Sequence, residues 1–149
     1  MPRRLLRRLA EWWAARRRAG PRSRAEQGAA AEDEAARLLR RKGYRLLARN
    51  YTVTRGEIDL VAFRNGMVAF VEVRSLREPT SIDPVQSITT AKQRRIVAAA
   101  ESFLTTRRLR TSAAGVRFDV VSVVFTAEGT VARVRHLEGA FAGARRGFS

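Results

Sequence analysis

The sequence predicts an α/β domain in which helices flank a mixed β-sheet, with the elements in the order α-β-β-β-α-β-β. Two segments repeat apolar residues at helical spacing, and five others show the short apolar runs or the alternation of strands. The second of these strands has apolar residues on both faces, so both faces of the sheet need cover. The chain has 149 residues and is 45% hydrophobic, which suits one domain with its own core.

The first helix is predicted over residues 26–42. Acids cluster near its start, where the helix macrodipole favours negative charge, and Gly43 is a residue suited to end it. One face carries four apolar residues and one acid, namely Ala29, Glu32, Ala35, Ala36 and Leu39. We therefore expect Glu32 to face the sheet near the start of this helix.

Three strands are predicted next, over residues 44–53, 57–63 and 67–74. The second and third are joined by an Asn-Gly pair, which is the preferred sequence for a type I′ turn, so they should form a β-hairpin. In the second strand, alternation places apolar residues on both faces: Ile58, Leu60 and Ala62 on one, Val61 and Phe63 on the other.

The rest of the chain predicts one more helix and two more strands. The helix is expected over residues 90–108, and the strands over residues 116–125 and 130–137. The domain should therefore cover residues 26–138, followed by a flexible tail over residues 139–149.

The positive charge is concentrated at the N-terminus. The net charge is +16, and residues 1–24 contain nine arginines against one acid, Glu11. We interpret residues 1–25 as a basic arm, made amphipathic by apolar residues at helical spacing: Leu5, Leu6, Leu9, Trp12 and Trp13. The arm either contacts an anionic surface, such as nucleic acid or a membrane, or is a mobile extension that only adds charge. The overall balance favours a polyanionic partner.

Composition also disfavours several classes of protein. The chain has no cysteine, which excludes disulfides, thiolate metal sites and a thiol nucleophile, and a reducing cytoplasm is the default expectation. No apolar run approaches the roughly 18–20 residues that span a bilayer, so we expect no integral membrane segment. Glu11 interrupts the apolar stretch of the N-terminal arm, which disfavours a secretion signal.

The predicted hairpin brings acids together. Its two-residue turn sets Asp59 opposite Glu72 and Glu57 opposite Arg74. Directly opposed Cβ atoms lie roughly 4.5–5.5 Å apart, so two acids there need a cation or a raised pKa. Mg²⁺ would meet this need, since it takes one or two carboxylates, waters and phosphate oxygens, and Glu32 could add a third acid. The alternative is a solvated sheet end with a Glu57–Arg74 ion pair, and spacing alone leaves both open.

Other charged residues have plainer interpretations. Arg117 and Asp119 share one face of the fourth strand and should form an ion pair that braces the sheet. His136 is expected to be an ordinary half-buried histidine. Arg94 and Arg95, on the second helix, either contact nucleic acid phosphates or are solvated surface charges.

Specific motifs are spread along the predicted domain: Gly28-Ala-Ala-Ala-Glu32, Gly43-Tyr44, Asn50, Gly56-Glu57-Ile58-Asp59-Leu60, Phe70-Val71-Glu72-Val73-Arg74, Lys92 and Arg117-Phe118-Asp119. In this order they resemble the YraN-like family of small bacterial endonuclease-like proteins, over about residues 26–125. The Gly-Glu-Ile-Asp and Val-Glu-Val elements look like the PD-(D/E)-x-K signature of restriction-endonuclease-like folds, and are similar to those of archaeal Holliday junction resolvases.

The resemblance implies a restriction-endonuclease-like fold, a nucleic acid substrate and dependence on Mg²⁺ or Mn²⁺. Asp59 and Glu72 would be metal ligands and catalytic residues, the Val73 carbonyl would help to coordinate, and Glu32 would be the helix-borne acid of the site. The substrate is expected to be DNA, with branched and flapped DNA among the candidate forms. Junction-cleaving enzymes of this fold often act as dimers, so a homodimer is a further expectation.

The chain departs from the signature at Arg74, where the signature has lysine. A guanidinium with a pKa above about 12 cannot be a general base. Either Arg74 stabilises charge while the metal activates water, or Lys92 supplies the missing amine, or cleavage is lost. Lys92 begins the apolar stripe of the second helix, so it points over the sheet or is a solvated first-turn lysine that, with Arg94 and Arg95, contacts nucleic acid.

Two functions follow from these residues. The main expectation is a metal-dependent endonuclease that hydrolyses phosphodiester bonds in DNA through Asp59, Glu72 and Arg74. The alternative is a non-catalytic nucleic acid binding protein that keeps the nuclease fold and the basic surface.

Overall fold

The computed structural model describes residues 23–109 and 115–143, and it confirms the α/β class and the predicted order of elements. That order is α1 (Arg24–Arg41), β1 (Arg45–Val53), β2 (Gly56–Arg64), β3 (Met67–Arg77), α2 (Thr90–Thr106), β4 (Gly115–Phe125) and β5 (Val131–Phe141). Most of the basic arm, up to residue 22, lies outside the described residues, so its amphipathic character stays a prediction.

The five strands form one mixed sheet in the order β1-β2-β3-β4-β5. The first three are antiparallel neighbours, β4 lies parallel to β3 after the crossover through α2, and β5 is antiparallel to β4. The mixed sheet flanked by helices that the resemblance implies is therefore present.

The sheet has a separate apolar cluster on each face. On the α1 face, Ala35 and Leu39 pack with Leu60 and Val71, among others. On the α2 face, the helix residues Ile96, Ala100 and Phe103 pack with Val61, Phe70 and Phe118 of the strands. Covering both faces buries the central strands almost completely, as their two-sided apolar sequences require.

Both ends of α1 are fixed by local hydrogen bonds. Ser23 and Glu26 form a reciprocal capping box at the start. At the end, Gly43 adopts a left-handed φ of 86°, and the N–H groups of Gly43 and Tyr44 donate to carbonyls of the last turn, as in a Schellman motif. The predicted buried face needs one correction. Ala29 is exposed and Ala31 is buried instead, because Ala31, Ala35 and Leu39 follow each other at four-residue spacing along the helix.

The predicted hairpin and its register are confirmed as far as the strands pair. Asn65 and Gly66 both have positive φ, 49° and 78°, as a type I′ turn requires. Val61 pairs with Phe70, but the cross-strand pairs end at Leu60 and Val71. Asp59 and Glu72 therefore lie just beyond the last pair of β2 with β3, rather than directly opposite each other within the ladder.

The same point of β2 corrects a second prediction. Ile58 packs in the α2-side cluster with Val61, whereas Leu60 packs in the α1-side cluster, so strict alternation is broken at Asp59. On the neighbouring strand, Asn50 has a left-handed φ of 49° between the residues paired with Leu60 and Ile58. This local irregularity of β1 and β2 lies next to the point where β2 leaves β3.

Two element ends also differ from prediction. β5 extends to Phe141, so residues 139–141 belong to a strand and not to the expected loose tail. The N–H of Gly139 donates to Asp119, which holds this part of the chain against β4. α2 ends at Thr106, because Arg108 turns into the left-handed region with φ of 54°. Neither helix of the described residues is long and apolar enough to cross a membrane.

Candidate active site

Asp59 and Glu72 meet where β2 separates from β3. The N–H of Val73 donates to Oδ2 of Asp59 over 2.7 Å. The carboxylate thus takes the place of a strand partner for this backbone N–H. The sequence prediction that these two acids come together is therefore matched by their positions.

Glu72 is a buried acid with incomplete partners. Its Oε1 lies 3.6 Å from Nζ of Lys92 and 4.0 Å from Nη1 of Arg74. Among the described residues, no donor reaches its buried Oε2. A buried oxygen without a hydrogen bond lowers the stability of the fold, so this atom indicates a functional role for the site.

The two carboxyl groups affect each other's proton affinity in opposite directions, since Asp59 raises the pKa of Glu72 whereas Glu72 lowers that of Asp59. Burial and the negative charge of Asp59 together raise the pKa of Glu72 to about 8. Burial also raises the pKa of Asp59, although the Val73 N–H works in the opposite direction. Two carboxylates this close repel each other when both are ionised. The pair therefore holds a shared proton or needs a cation.

Lys92 reaches this pair from the first turn of α2. Thr89 caps the helix by accepting a hydrogen bond from the Lys92 N–H, and Nζ of Lys92 lies 3.0 Å from Oε1 of Glu57. Burial alone would lower the pKa of Lys92, but the charges of Glu72 and Glu57 outweigh it and raise the pKa. The ammonium of Lys92 thus points over the sheet, which is one of the two predicted orientations.

This placement corrects the predicted partner of Glu57. Its carboxylate pairs with Lys92 and not with Arg74 across the strands. Arg74 instead donates through Nε to Oγ of Ser87 over 3.0 Å, and the Ser87 hydroxyl donates to the Pro84 carbonyl. The loop before α2 therefore fixes the guanidinium at the side of the acid pair.

Gly56, at the start of β2, brings α2 close enough for Lys92 to reach the acids. A Cβ at this position would lie 1.9 Å from the carbonyl oxygen of Arg95 and 2.7 Å from its carbonyl carbon. Only glycine permits this approach of helix backbone to strand backbone. The glycine of the Gly-Glu-Ile-Asp element is thus a contact position between α2 and β2.

Glu32 lies near the pair but is not joined to it by a described contact. Its side chain accepts a hydrogen bond from Asn50, and burial together with repulsion from Asp59 raises its pKa. Residues 23–109 and 115–143 contain no group of three or more acids or histidines arranged to hold a metal ion. The role of Glu32 as a ligand stays a prediction, and the site proper has two acids.

Those two acids fit a hard divalent cation. Mg²⁺ and Mn²⁺ favour oxygen ligands, and Mg²⁺ commonly takes one or two carboxylates and completes its shell with waters and phosphate oxygens. The unpartnered Oε2 of Glu72 and the raised pKa values of both acids are what a cation would relieve. Asp59 and Glu72 would hold the ion, and the Val73 carbonyl is the adjacent backbone oxygen.

Arg94 and Arg95 lie on the exposed side of the first half of α2. The charge of Arg95 lies close enough to Glu57 to contribute, after Lys92, to the lowered pKa of that acid. Both arginines are thus exposed on the helix that bears Lys92, and their contact with phosphates stays a prediction.

The opposite face of the sheet holds a second buried acid whose surroundings the sequence only partly predicted. The expected ion pair is confirmed: Nε and Nη2 of Arg117 lie 2.7 and 2.8 Å from the oxygens of Asp119. Nε2 of His136 and the N–H of Gly139 complete the shell, at 2.7 and 3.0 Å. Burial opposes ionisation of Asp119, but these donors outweigh it and lower its pKa to about 2.

His136 is half-buried as a residue, as expected, and its side chain is only 2% exposed. Its Nδ1 lies 2.7 Å from Nζ of Lys42, which can only donate, so Nε2 carries the proton donated to Asp119. Tyr44 joins the network through Arg117. The alternation of Asp119 with apolar residues was a signal for a buried acid, but its contact with His136 depends on the register of β4 and β5, which shifts between Val124 and Phe125.

Comparisons with known proteins place the matched region across most of this fold. A family model described as uncharacterised protein family UPF0102 matches residues 31–123. A UPF0102 protein of Myxococcus xanthus is 46% identical over 125 residues, covering 84% of this chain and 96% of that protein. One from Rhodopseudomonas palustris is 44% identical over 114 residues, covering 76% and 82%. One from Dictyoglomus turgidum is 35% identical over 116 residues, covering 78% and 97%.

Proposed function

Because the chain belongs to UPF0102, an uncharacterised protein family whose name assigns no activity, we propose a function from the site itself: a divalent-metal-dependent endonuclease that hydrolyses phosphodiester bonds in DNA. The observation that carries this proposal is the pair of half-buried Asp59 and buried Glu72, with its unpartnered oxygen and raised pKa values, at the point where β2 leaves β3. Perturbed acids of this kind are typical of catalytic and metal sites.

In this proposal, Asp59 and Glu72 hold Mg²⁺ or Mn²⁺ with the help of the Val73 carbonyl, and Glu32 acts from α1 at longer range. The ion, when bound, supplies a Lewis acid that promotes ionisation of water and offsets phosphate charge. The hydrogen bond from the Val73 N–H fixes Asp59, and burial keeps bulk water away from Glu72. Both effects favour a defined geometry for a phosphodiester at the acids.

Lys92 and Arg74 act as cations in this site. The raised pKa of Lys92 and the guanidinium chemistry of Arg74 make both unsuitable as general bases. Their role is to bind the phosphate and to stabilise the negative charge that grows on it during attack by water. Lys92, borne on α2, thereby provides the amine that the signature places where this chain has Arg74.

The charge of the molecule supports nucleic acid as the substrate. The chain carries +16, and Arg94 and Arg95 are exposed on the helix that bears Lys92. Phosphate contacts release counterions, so DNA affinity should fall steeply with salt. The resemblance to junction resolvases favours branched DNA, and a homodimer would suit such a substrate.

The test is cleavage of labelled single-stranded, duplex, flap and four-way-junction DNA with Mg²⁺, Mn²⁺ or EDTA. The parent is compared with Asp59→Asn and Glu72→Gln, and with Glu128→Gln, which removes an exposed acid from the turn between β4 and β5. We expect metal-dependent cutting by the parent and by Glu128→Gln, and a loss of at least about a thousandfold in the two site variants, which should still bind DNA. Cutting that survives in Glu72→Gln would refute the site.

A non-catalytic nucleic acid binding protein is the second candidate, and the arginine at position 74 favours it. The same assay separates the two functions when Arg74→Lys is added. Tight, salt-sensitive binding without cutting by the parent or by Arg74→Lys would establish the binding function, whereas a gain of cutting in Arg74→Lys would measure what the arginine costs.

A further inference from the structure

Lys92 occupies a position between an exposed and a buried acid. Its Nζ lies 3.0 Å from Glu57, which is 49% exposed on its side chain, and 3.6 Å from the buried Glu72. We propose that Lys92 is a built-in counter-ion of the acid pair, and that it gives up its contact with Glu72 when a divalent cation binds there. This inference rests on the proposed metal site and concerns how that site is kept balanced and filled.

The first argument is charge balance. Glu72 is a buried acid, and its contact with a cation at the edge of the site offsets its negative charge. Lys92 is the nearest described cation to Glu72 and supplies the matching positive charge. A divalent cation on the same carboxylates would replace that charge and repel an ammonium left beside it.

The second argument is that the backbone of Lys92 is fixed while its side chain has somewhere to go. The Thr89 cap and the Gly56–Arg95 contact hold the first turns of α2 in place. The ammonium already donates to Glu57 at the exposed rim, so it can leave Glu72 and keep one partner. The flexible four-carbon stem of lysine permits this movement without a shift of the helix.

Arg74 provides the contrast within the same site. It also lies next to Glu72, but its guanidinium is tied to Ser87 in the loop before α2. A cation held in this way cannot make room by moving outward along the rim. We therefore assign to Lys92, and not to Arg74, the exchange in which a bound divalent cation replaces an ammonium beside Glu72.

The composition of the chain allows a direct test, because Lys42 and Lys92 are its only lysines. In the full-length protein labelled with ¹³C-lysine, the ε-methylene signals of the two residues can be followed by NMR while MgCl₂ is added and then removed with EDTA. We expect the Lys92 signal to shift in a saturable, reversible manner and the Lys42 signal to stay in place. A Lys92 signal that stays unchanged while calorimetry records Mg²⁺ binding would refute the exchange and leave the metal site standing.

A matched pair of variants supplies the second readout. Lys92→Met keeps the length of the stem and removes the ammonium, while Arg74→Met removes the other cation beside Glu72. We expect Lys92→Met to bind Mg²⁺ about tenfold more tightly in calorimetry, and Arg74→Met to change the affinity less than about threefold. Equal effects would show that only local charge matters and would overturn the exchange. No Mg²⁺ binding by the parent or by Lys92→Met would overturn the proposed metal site together with the inference.

Discussion

Glu72 and Asp119 are both buried acids in the middle of the sheet, but they lie on opposite faces and have opposite surroundings. Asp119, on the α1 face, accepts hydrogen bonds from Arg117, His136 and the Gly139 backbone, and its pKa falls to about 2. Glu72, on the α2 face, keeps one oxygen without a partner, and its pKa rises to about 8. The same residue class is thus satisfied on one face and unsatisfied on the other.

This difference separates a structural role from a functional one. The donors around Asp119 come from β4 and β5, and Tyr44 and Lys42 at the end of α1 extend the network. Such a network stabilises the pairing of β4 with β5. Among the described residues, it leaves no buried side-chain atom without a hydrogen-bond partner that a ligand could occupy. A buried acid that lacks donors lowers stability, so its presence is better explained by something it must bind.

The largest expected effect comes from removing the satisfied acid. Asp119→Ala leaves Arg117 and the buried His136 without their main partner, so we expect the free energy of unfolding to fall by about 3–5 kcal/mol. Urea unfolding of both proteins at neutral pH measures the change. Because the pKa of Asp119 is lowered, its contribution is fully present above the unfolded value near 3.8 and is lost as the pH falls towards about 2. A fall in the free energy of unfolding of less than about 1 kcal/mol would show that the network does not stabilise the fold.

A smaller effect is expected at the contact that brings α2 to the acid pair. Gly56→Ala puts a methyl group against the backbone of Arg95, and overpacking of this kind costs about 1–3 kcal/mol. Gly28→Ala is the matched control, because Gly28 lies in α1 with no neighbouring atom within 4 Å and should gain about 0.5–1 kcal/mol from helix propensity. Thermal unfolding compares the two, and equal melting temperatures would contradict the close contact.

The smallest effect has the opposite sign to that of Asp119. Glu72 keeps its proton in the folded chain up to about pH 8 but loses it near pH 4.5 when unfolded, so the parent loses stability as the pH rises between these values. We expect Glu72→Gln, which cannot ionise, to be more stable than the parent by about 1–2 kcal/mol at pH 8. The difference should vanish towards pH 4 in urea unfolding. If Glu72→Gln is less stable than the parent at pH 8, Glu72 stabilises the fold, as Asp119 does.

The sequence predicted the local parts of this site and missed the parts that depend on distant elements. The Asn-Gly turn determined the hairpin register, and the register brought Asp59 to Glu72. Periodicity does not reveal that the β2–β3 pairs end at Leu60 and Val71, beside the left-handed backbone of Asn50 on β1. In the same way, the pairing of Glu57 with Lys92 requires the docking of α2.

The surroundings of Asp119 were also predictable only in part, because some of its partners lie on another strand. Arg117 and Asp119 are two residues apart on one strand, so alternation alone put them on one face. His136 lies on β5, where the pairing with β4 shifts between Val124 and Phe125, so a regular ladder drawn from the turn would misplace it. Contacts within one strand or one tight turn follow from sequence pattern, whereas contacts across irregular pairs do not.

Because β4 pairs with β3 in parallel, the two acids should meet during folding before their counter-ion arrives. The turns of β1-β2-β3 have two residues each, so this meander closes by short-range contacts, whereas β4 can join only after the crossover through α2 is complete. The folding chain then passes through a stage of electrostatic frustration that ends when α2 docks. Pulse-labelled hydrogen exchange would test this order, and protection of β4 amides before those of β1 and β2 would contradict it.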